Sequence, residues 1–419
     1  MAKSPTAAGV PPGPGDRKKG AFKENRYFVL SNLSIGHGIT HWYSESFLVM
    51  IPTIKEDLGL TDLQIGAMTF VRNLASGLVS IPAGFAIDMV QRKWGMILVM
   101  TMLWTCVAYV LMGLAPNYWV LLLAMLMIAL PGTIWHLPGI AALSQRFPDK
   151  RGFALSIHGV GGNVGNAIGP IVASALLGIF FWREIFLVYA IPAVIIAGVI
   201  WWSLQNVGGR SDKKGPDLRT RLQGARQMMR NPIIWGLLTS SLLRGMGGSA
   251  ITTFVPIYLV EERGFNDEGI KLGLYFAMLT GLGTFASPIL GTISDNVGRK
   301  GVLVFGTLMV GVLSIVFVQM TNDWAVLAIM AGIGLFTFSL GQIMQAAIID
   351  IVGVGTEATA IGVVQGAQGV LAASSPLIAG GISDAFGVTY VFYYAGGITL
   401  LSTMLLFSLP LRKVGARQA

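Results

Sequence analysis

GFAIDMVQRK, residues 84–93, and GTISDNVGRK, residues 291–300, each close an apolar run. Gly84, Asp88, Arg92 and Lys93 recur as Gly291, Asp295, Arg299 and Lys300, each 207 residues later. GPIVAS, with Pro170, and SPLIAG, with Pro376, repeat the relation at an offset of 206. A chain that returns to the same short patterns at half its length is built from two related halves. In membrane proteins that architecture belongs to transporters whose halves rock about a central site.

The composition supports a membrane setting. Of 419 residues, 53% are hydrophobic and 12% charged, against about 25% charged in soluble proteins. A helix crosses a bilayer with about 20 apolar residues. Twelve such segments are read at 27–52, 62–87, 94–115, 118–146, 152–179, 183–204, 234–260, 268–293, 301–320, 323–351, 357–382 and 387–410. The expected plan is all-α and polytopic. It has a flexible tail (1–26), a six-helix bundle (27–204), a basic linker (205–233), a second six-helix bundle (234–410) and a short tail (411–419). The amino terminus is polar, basic and rich in Pro and Gly, and lacks the apolar core of a signal peptide.

Lysine and arginine set the orientation. With the amino terminus cytosolic, 23 of the 29 basic residues fall in cytosolic tails and loops. The outer loops hold four, Lys55, Arg183, Arg263 and Lys271, and Arg72 and Arg244 lie within segments. Both termini are therefore expected in the cytosol, across a cytoplasmic (inner) membrane. The same bias accounts for the net charge of +9 without nucleic acid. One cysteine, Cys106, permits neither an internal disulfide nor a cysteine metal site. No phosphate-binding G-x-x-x-x-G-K-[ST] motif and no nucleophile–base pair is present, so neither nucleotide-driven work nor catalysis is expected, and no cofactor.

The two loop motifs resemble the major facilitator superfamily signature G-x-L-x-D-R-x-G-R-[KR]. The second copy departs at Ile293 and Asn296, the first also at Met89 and Gln91. The resemblance implies twelve transmembrane helices in two pseudo-symmetric bundles, working by alternating access, usually as a monomer. It also implies that segments 1, 4, 7 and 10 line the cavity, and that the loops act as a latch favouring the outward-open state. In that latch Asp88 and Asp295 would accept from the following helix, and Arg92 and Arg299 would pair with acids on neighbouring helices. In the first half, PTIKEDLGLTDLQIGAMTF, GTIWHLPG and RGFALSIHGVGGNVGNAIGP resemble the fosmidomycin-resistance exporters. Leu137 interrupts that group's His–Pro pair, His41 stands at its acidic position, and Arg72 replaces an apolar residue. GNAIGPIVAS is also similar to the fifth-helix signature of proton-driven antiporters, with Ala173 and Ser174 in the last two places. Gly161, Gly165 and Gly169, followed by Pro170, form a small-residue ridge suited to close helix packing.

Charged groups within a bilayer cost about 2.5–3.5 kcal/mol each on insertion scales, so each suggests function. His37, His41 and Glu45 share one face of segment 1, within about 80° and over about 12 Å. Three readings stay open for them: a proton relay, a static Glu45–Arg72 ion pair beside two hydrogen-bonded histidines, or a metal. No further ligand set for a metal is apparent in the sequence. Arg72, His136, Arg244, Gln342 and Gln345 are the candidate substrate-binding residues, because an arginine fork suits carboxylate, phosphate or phosphonate. Arg244 falls close to the pseudo-symmetric place of His41. His158 suits packing as well as function, Asp350 suits a gate or a loop pairing, and Cys106 reads as filler. The expected activity is proton-coupled export of a small organic anion or amphiphilic compound. Proton-linked import or anion exchange is the nearest alternative. A non-transporting receptor on the same fold is the competitor from another class, and would gain nothing from the buried His, Glu and Arg.

Overall fold

A computed structural model describes residues 25–89, 93–204, 207, 230–352, 366 and 369–411, apart from the side chains of 81, 84–89 and 284. Residues 1–24, 90–92, 205–206, 208–229, 353–365, 367–368 and 412–419 lie outside the described residues, as do the calls made on them, including the first part of the segment read at 357–382. Among the described residues there are thirteen helices and no strand: α1 (Arg26–Val49), α2 (Ile51–Leu58), α3 (Asp62–Met89), α4 (Trp94–Gly113), α5 (Tyr118–Arg146), α6 (Arg151–Leu177), α7 (Trp182–Leu204), α8 (Pro232–Glu261), α9 (Ile270–Val297), α10 (Arg299–Phe317), α11 (Asp323–Val352), α12 (Ser374–Phe386) and α13 (Thr389–Ser408). Nine helical stretches among the described residues are long and apolar enough to cross a membrane. The three long helices outside that set, α1, α3 and α8, carry His37, His41 and Glu45, Arg72, and Arg244. The addition to the expected plan is α2. The first helix ends at Met50 within the apolar run, and Pro52 opens a short second helix.

Local signals repeat between the halves. Asn25 and Asn231 cap α1 and α8, accepting from Tyr27 N–H and Ile233 N–H at 2.9 Å each. Asn117 and Asn322 cap α5 and α11 in the same way. Such caps satisfy helix N–H groups left without an intrahelical acceptor. Trp119 and Trp324, two residues inside the latter caps, are about three-quarters exposed, as interfacial anchors are.

Within the first half α1 packs on α6, α3 on α5, and α4 on α5 and α7. In the second half α9 packs on α11, α10 on α11 and α13, and α8 on α13. Two seams join the halves: α3 against α12, and α6 against α9. Glycine makes both seams close. A Cβ on Gly66 would lie 2.2 Å from the Pro376 carbonyl oxygen, and one on Gly273 would lie 2.4 Å from the Pro170 carbonyl oxygen. Gly66 and Gly273 are 207 residues apart, Pro170 and Pro376 are 206. The same backbone contact is thus built twice. One turn away a Cβ on Gly380 would meet the Asp62 carbonyl at 2.3 Å, while Ser174 Oγ donates to the Gly269 carbonyl at 2.7 Å and accepts from Gly273 N–H at 3.1 Å.

The seams close the face that carries α2. There Asp384 accepts from the N–H groups of Asp62 and Leu63 at 2.8 and 3.0 Å, capping α3 from the other half. Lys55 pairs with Asp62 at 2.6 Å and with Glu261 at 2.5 Å, and Thr53 Oγ1 donates to Asp267 at 3.0 Å. All four basic residues of this face are neutralised, since Arg183 pairs with Asp57 while Arg263 and Lys271 share Asp323. One buried apolar cluster runs through both halves here, from Tyr43 and Phe186 to Phe254 and Phe392. Towards the termini it gives way to two clusters, one per half, around Trp135 and around Leu340.

On the termini face the described polar contacts stay within a half. Arg26 pairs with Asp149 at 2.7 Å, and Lys300 Nζ donates to the Leu409 carbonyl at 2.7 Å. Arg299 reaches Asp350 on α11 at 3.1 Å and donates to Ser294 Oγ at 2.7 Å. Asp295 pairs with Arg299, four residues on and the first residue of α10. Gly298 makes the α9–α10 turn in a single residue at φ +101°, a region that favours glycine. In the first copy Gly84 lies in α3 and Lys93 is exposed, while the Asp88 side chain and Arg92 lie outside the described residues. The closed face is the one expected to be extracellular, so the arrangement is the reverse of the outward-open state expected of the latch.

The α1–α6 interface gives a direct stability test. A Cβ on Gly165 would lie 2.0 Å from the Gly38 carbonyl oxygen, and one on Gly159 meets nothing within 4 Å. Gly165→Ala is expected to destabilise the first half by about 1–3 kcal/mol, and Gly159→Ala to leave the melting temperature unchanged or slightly raised. Thermal unfolding of both variants in detergent checks this.

Candidate functional site

All four histidines of the chain meet in one place. Helix α1 brings His37 and His41, α5 brings His136, and α6 brings His158. The His37 ring stacks on His158 at 4.2 Å between centroids, and stands edge-on to His41 and His136 at 4.7 Å each; His41 and His136 are 5.6 Å apart. Glycines make the room. A Cβ on Gly162 would lie 2.6 Å from the His37 ring, and one on Gly139 would touch His158 at 3.6 Å. Gly161, Gly165 and Gly169 bring α6 onto α1, their Cβ positions falling 2.1, 2.0 and 2.7 Å from the carbonyl oxygens of Ser34, Gly38 and Trp42. His136 thus stands with the histidines of α1, apart from the arginine of the second half.

Two of the four imidazoles have one nitrogen committed. His37 Nδ1–H donates to the His158 carbonyl at 2.7 Å. His41 Nδ1–H donates to Asn166 Oδ1 at 2.7 Å. His37 Nε2 is buried without a hydrogen-bond partner, while the His158 ring has the Leu33 backbone as a hydrogen-bonding neighbour in a geometry too poor for a full bond.

Glu45 lies one turn beyond His41, and its Oε2 is buried without a hydrogen-bond partner. It shares an electrostatic field with Arg72 of α3. Among the described residues the two form no ion pair within 4 Å, so the static pair, one of the three readings left open by the sequence, is not made here. Arg72 borders a cavity of about 60 Å³ lined also by Thr40, Ser44, Tyr43 and Tyr109, with room for a few water molecules. The next residue, Asn73, donates to Ser249 Oγ across the halves at 3.3 Å. Asn73, Ser76, Ser80 and Ser249 supply the polar lining of an open cavity of about 340 Å³ between α3, α8 and the chain leading into α12.

Arg244 sits in α8, 8% exposed. Its one described hydrogen bond runs from a terminal nitrogen to the Thr337 carbonyl of α11 at 3.0 Å, and its Nε is buried without a partner. No carboxylate pairs with it among the described residues. A Cβ on Gly341 would lie 3.6 Å from the guanidinium. Gln342, one residue further along α11, is exposed, Gln345 is half-buried, and neither makes a described hydrogen bond. The offset of 207 sets Arg244 opposite His37 in the first half, and sets Gly248 opposite His41. That corrects the pairing with His41 read from the sequence.

The α1 and α5 histidines and the two arginines stood out in the sequence as ionisable groups in apolar segments. Asn166, Asn73 and Ser249 did not, because Asn and Ser are common in transmembrane helices and only the fold shows what they touch. The closing contacts of Lys55, Asp62, Glu261 and Asp384 join residues more than 200 positions apart or lie at loop edges.

Comparison with known proteins agrees with the fold. A family model described as Major Facilitator Superfamily matches residues 33–341 and 273–418. The chain is 24% identical over 327 residues to a fosmidomycin resistance protein of Escherichia coli, covering 76% of each chain. It is 25% identical over 320 residues to a probable nitrate transporter of Staphylococcus epidermidis, covering 73% of this chain and 77% of that one. A solved bacterial homologue of the human lysosomal transporter Spinster, inward-facing and unoccupied, superposes with a TM-score of 0.81 at 17% identity, covering 91% of this chain and 96% of that one. The nucleoside transporter NupG superposes with a TM-score of 0.74 at 12% identity, over 91% and 98% of the two chains. The chain belongs to the Major Facilitator Superfamily, and is a multi-pass membrane transporter, not an enzyme.

Proposed function

We propose that the chain exports a small organic anion across the cytoplasmic membrane in exchange for protons, by alternating access, as a monomer with both termini in the cytosol. The observation that carries the reading is Arg244, a buried guanidinium with one backbone acceptor and no described carboxylate. A buried cation left in that state is costly unless a counter-ion visits. An anionic solute entering from the open termini face supplies one, accepting from the guanidinium fork. Gln342 and Gln345 follow on the same helix and offer amide donors.

Glu45 is the proposed proton carrier and Arg72 its counter-charge. With Glu45 ionised, the guanidinium of Arg72 is held by the carboxylate's field. A proton on Glu45 cancels that field and leaves Arg72 free to bind the solute beside Asn73. His41, one turn along α1, is placed to pass the proton. This reading gives each buried charge a role in one cycle. The likeness to a fosmidomycin resistance protein supports export. The likeness to probable nitrate transporters supports a second reading, proton-linked uptake or exchange of a compact anion. The direction of flux in liposomes under an imposed pH gradient separates the two.

Removing a charge-assisted fork costs about 1.5–3 kcal/mol, so Arg244→Ala is expected to weaken anion binding about 10-fold or more. Thermal shifts with phosphonates, phosphate esters, carboxylates and nitrate measure this, with neutral sugars and lipophilic cations as controls. Unchanged anion shifts in Arg244→Ala remove the anion site. In liposomes Glu45→Gln is expected to abolish flux driven by a pH gradient while solute exchange without a gradient persists. Undiminished proton coupling in that variant rules out Glu45 as the carrier.

A further inference from the structure

We infer that His37, His136 and His158 form a binding site for a divalent first-row transition metal of the zinc class, with His41 adjoining as a fourth imidazole. The inference uses neither arginine nor Glu45, and shares only His41 with the transport reading. Its first support is convergence: one ring nitrogen from each of the three residues lies within 4.8 Å of the others. Tetrahedral zinc with nitrogens at about 2.0–2.1 Å sets them about 3.3–3.4 Å apart. Ring rotations moving each nitrogen by about 1 Å close that difference.

The second support is the state of the nitrogens. His37 is 8% exposed and His158 3%, yet His37 Nε2 has no hydrogen-bond partner and the His158 ring has the Leu33 backbone beside it in poor geometry. Buried polar atoms are rarely left so, and a cluster of them calls for an occupant. The third support lies around the rings. A metal-binding histidine characteristically donates its other N–H to a carbonyl or carboxylate, which fixes the tautomer and aims the lone pair. His37 does this through Nδ1 to the His158 carbonyl, leaving Nε2 as the ligand atom. His41 does it through Nδ1 to Asn166 Oδ1.

The donor chemistry narrows the ion. An all-imidazole set suits zinc, copper, nickel or cobalt, and not magnesium or calcium, which take oxygen ligands. The location narrows the role. All the ligands belong to α1, α5 and α6, inside the first half. A bound ion would not lose ligands as the halves part, so it is a fixed ion tying α1 to α5 and α6, and not the cargo.

The test uses the full chain purified through a tag free of histidine, stripped with a chelator, then exposed to Zn²⁺, Co²⁺ or Mg²⁺. The expected result is about one zinc per chain after desalting, and a melting temperature raised by about 2–5 °C with zinc but not with magnesium. Cobalt is expected to give the visible absorption of a four-coordinate nitrogen site. His136→Gln and His158→Gln are expected to weaken uptake about 100-fold or more, while melting like the native chain without metal. Two results overturn the inference: uptake near zero in the native chain, or zinc uptake and a cobalt spectrum unchanged in both variants. The native chain's cobalt spectrum is decisive even if a variant fails to fold.

Discussion

The two contacts of glycine against a proline carbonyl, Gly66 with Pro376 and Gly273 with Pro170, are what the rest of the structure depends on. Each lets two helices from different halves touch backbone to backbone, with no side chain between. Such a contact is firm in distance and tolerant in angle. A seam of that kind permits rocking where interlocked side chains would resist it. Because the contacts occur twice, related by the internal repeat, the axis between them divides the molecule into two equivalent bodies. With the α2 face closed by the Lys55, Asp62, Glu261 and Asp384 contacts, the apolar core is shared there and separates toward the termini.

Against this symmetric frame the ionisable groups are placed asymmetrically. The first half holds four histidines, Glu45 and Arg72, while the second holds Arg244 at the position equivalent to His37. In a bilayer such groups persist only with partners or a function. His37 and His41 have backbone or amide partners, Glu45 has the field of Arg72, and Arg244 has one carbonyl. The chemical asymmetry of the chain thus lies in what the repeat has changed, not in what it has kept.

The helices, the halves and their pairing were legible because apolar length and a repeated loop are both local signals. The observed boundaries of α5, Tyr118–Arg146, coincide with the segment read from hydropathy. The short helix α2 was not legible, since Ile51–Ile54 continues the apolar run of α1 and only Met50 and Pro52 mark the break. The histidine cluster was half legible. Spacing put His37 and His41 on one face, but His136 and His158 arrive from two other helices through glycine gaps at Gly139 and Gly162. No further ligand set was apparent in the sequence for that reason, since only the fold brings the α5 and α6 imidazoles beside those of α1. Arg244 was read as close to the pseudo-symmetric place of His41, and the repeat offset of 207 sets it one turn away, opposite His37.

The central claim is that the halves rock as bodies about the two glycine seams. It is tested most directly by electron–electron spin distances in a chain with Cys106→Ala. One label pair reports the α2 face, at the exposed Glu56 and Glu268, and another the termini face, at the exposed Lys150 and Asn296. Each pair is measured with and without the wedge Gly66→Leu with Gly273→Leu. Rocking predicts that the wedge lengthens the α2-face distance and shortens the termini-face distance together. Distances that stay unchanged on both faces, or that lengthen on both, would contradict it.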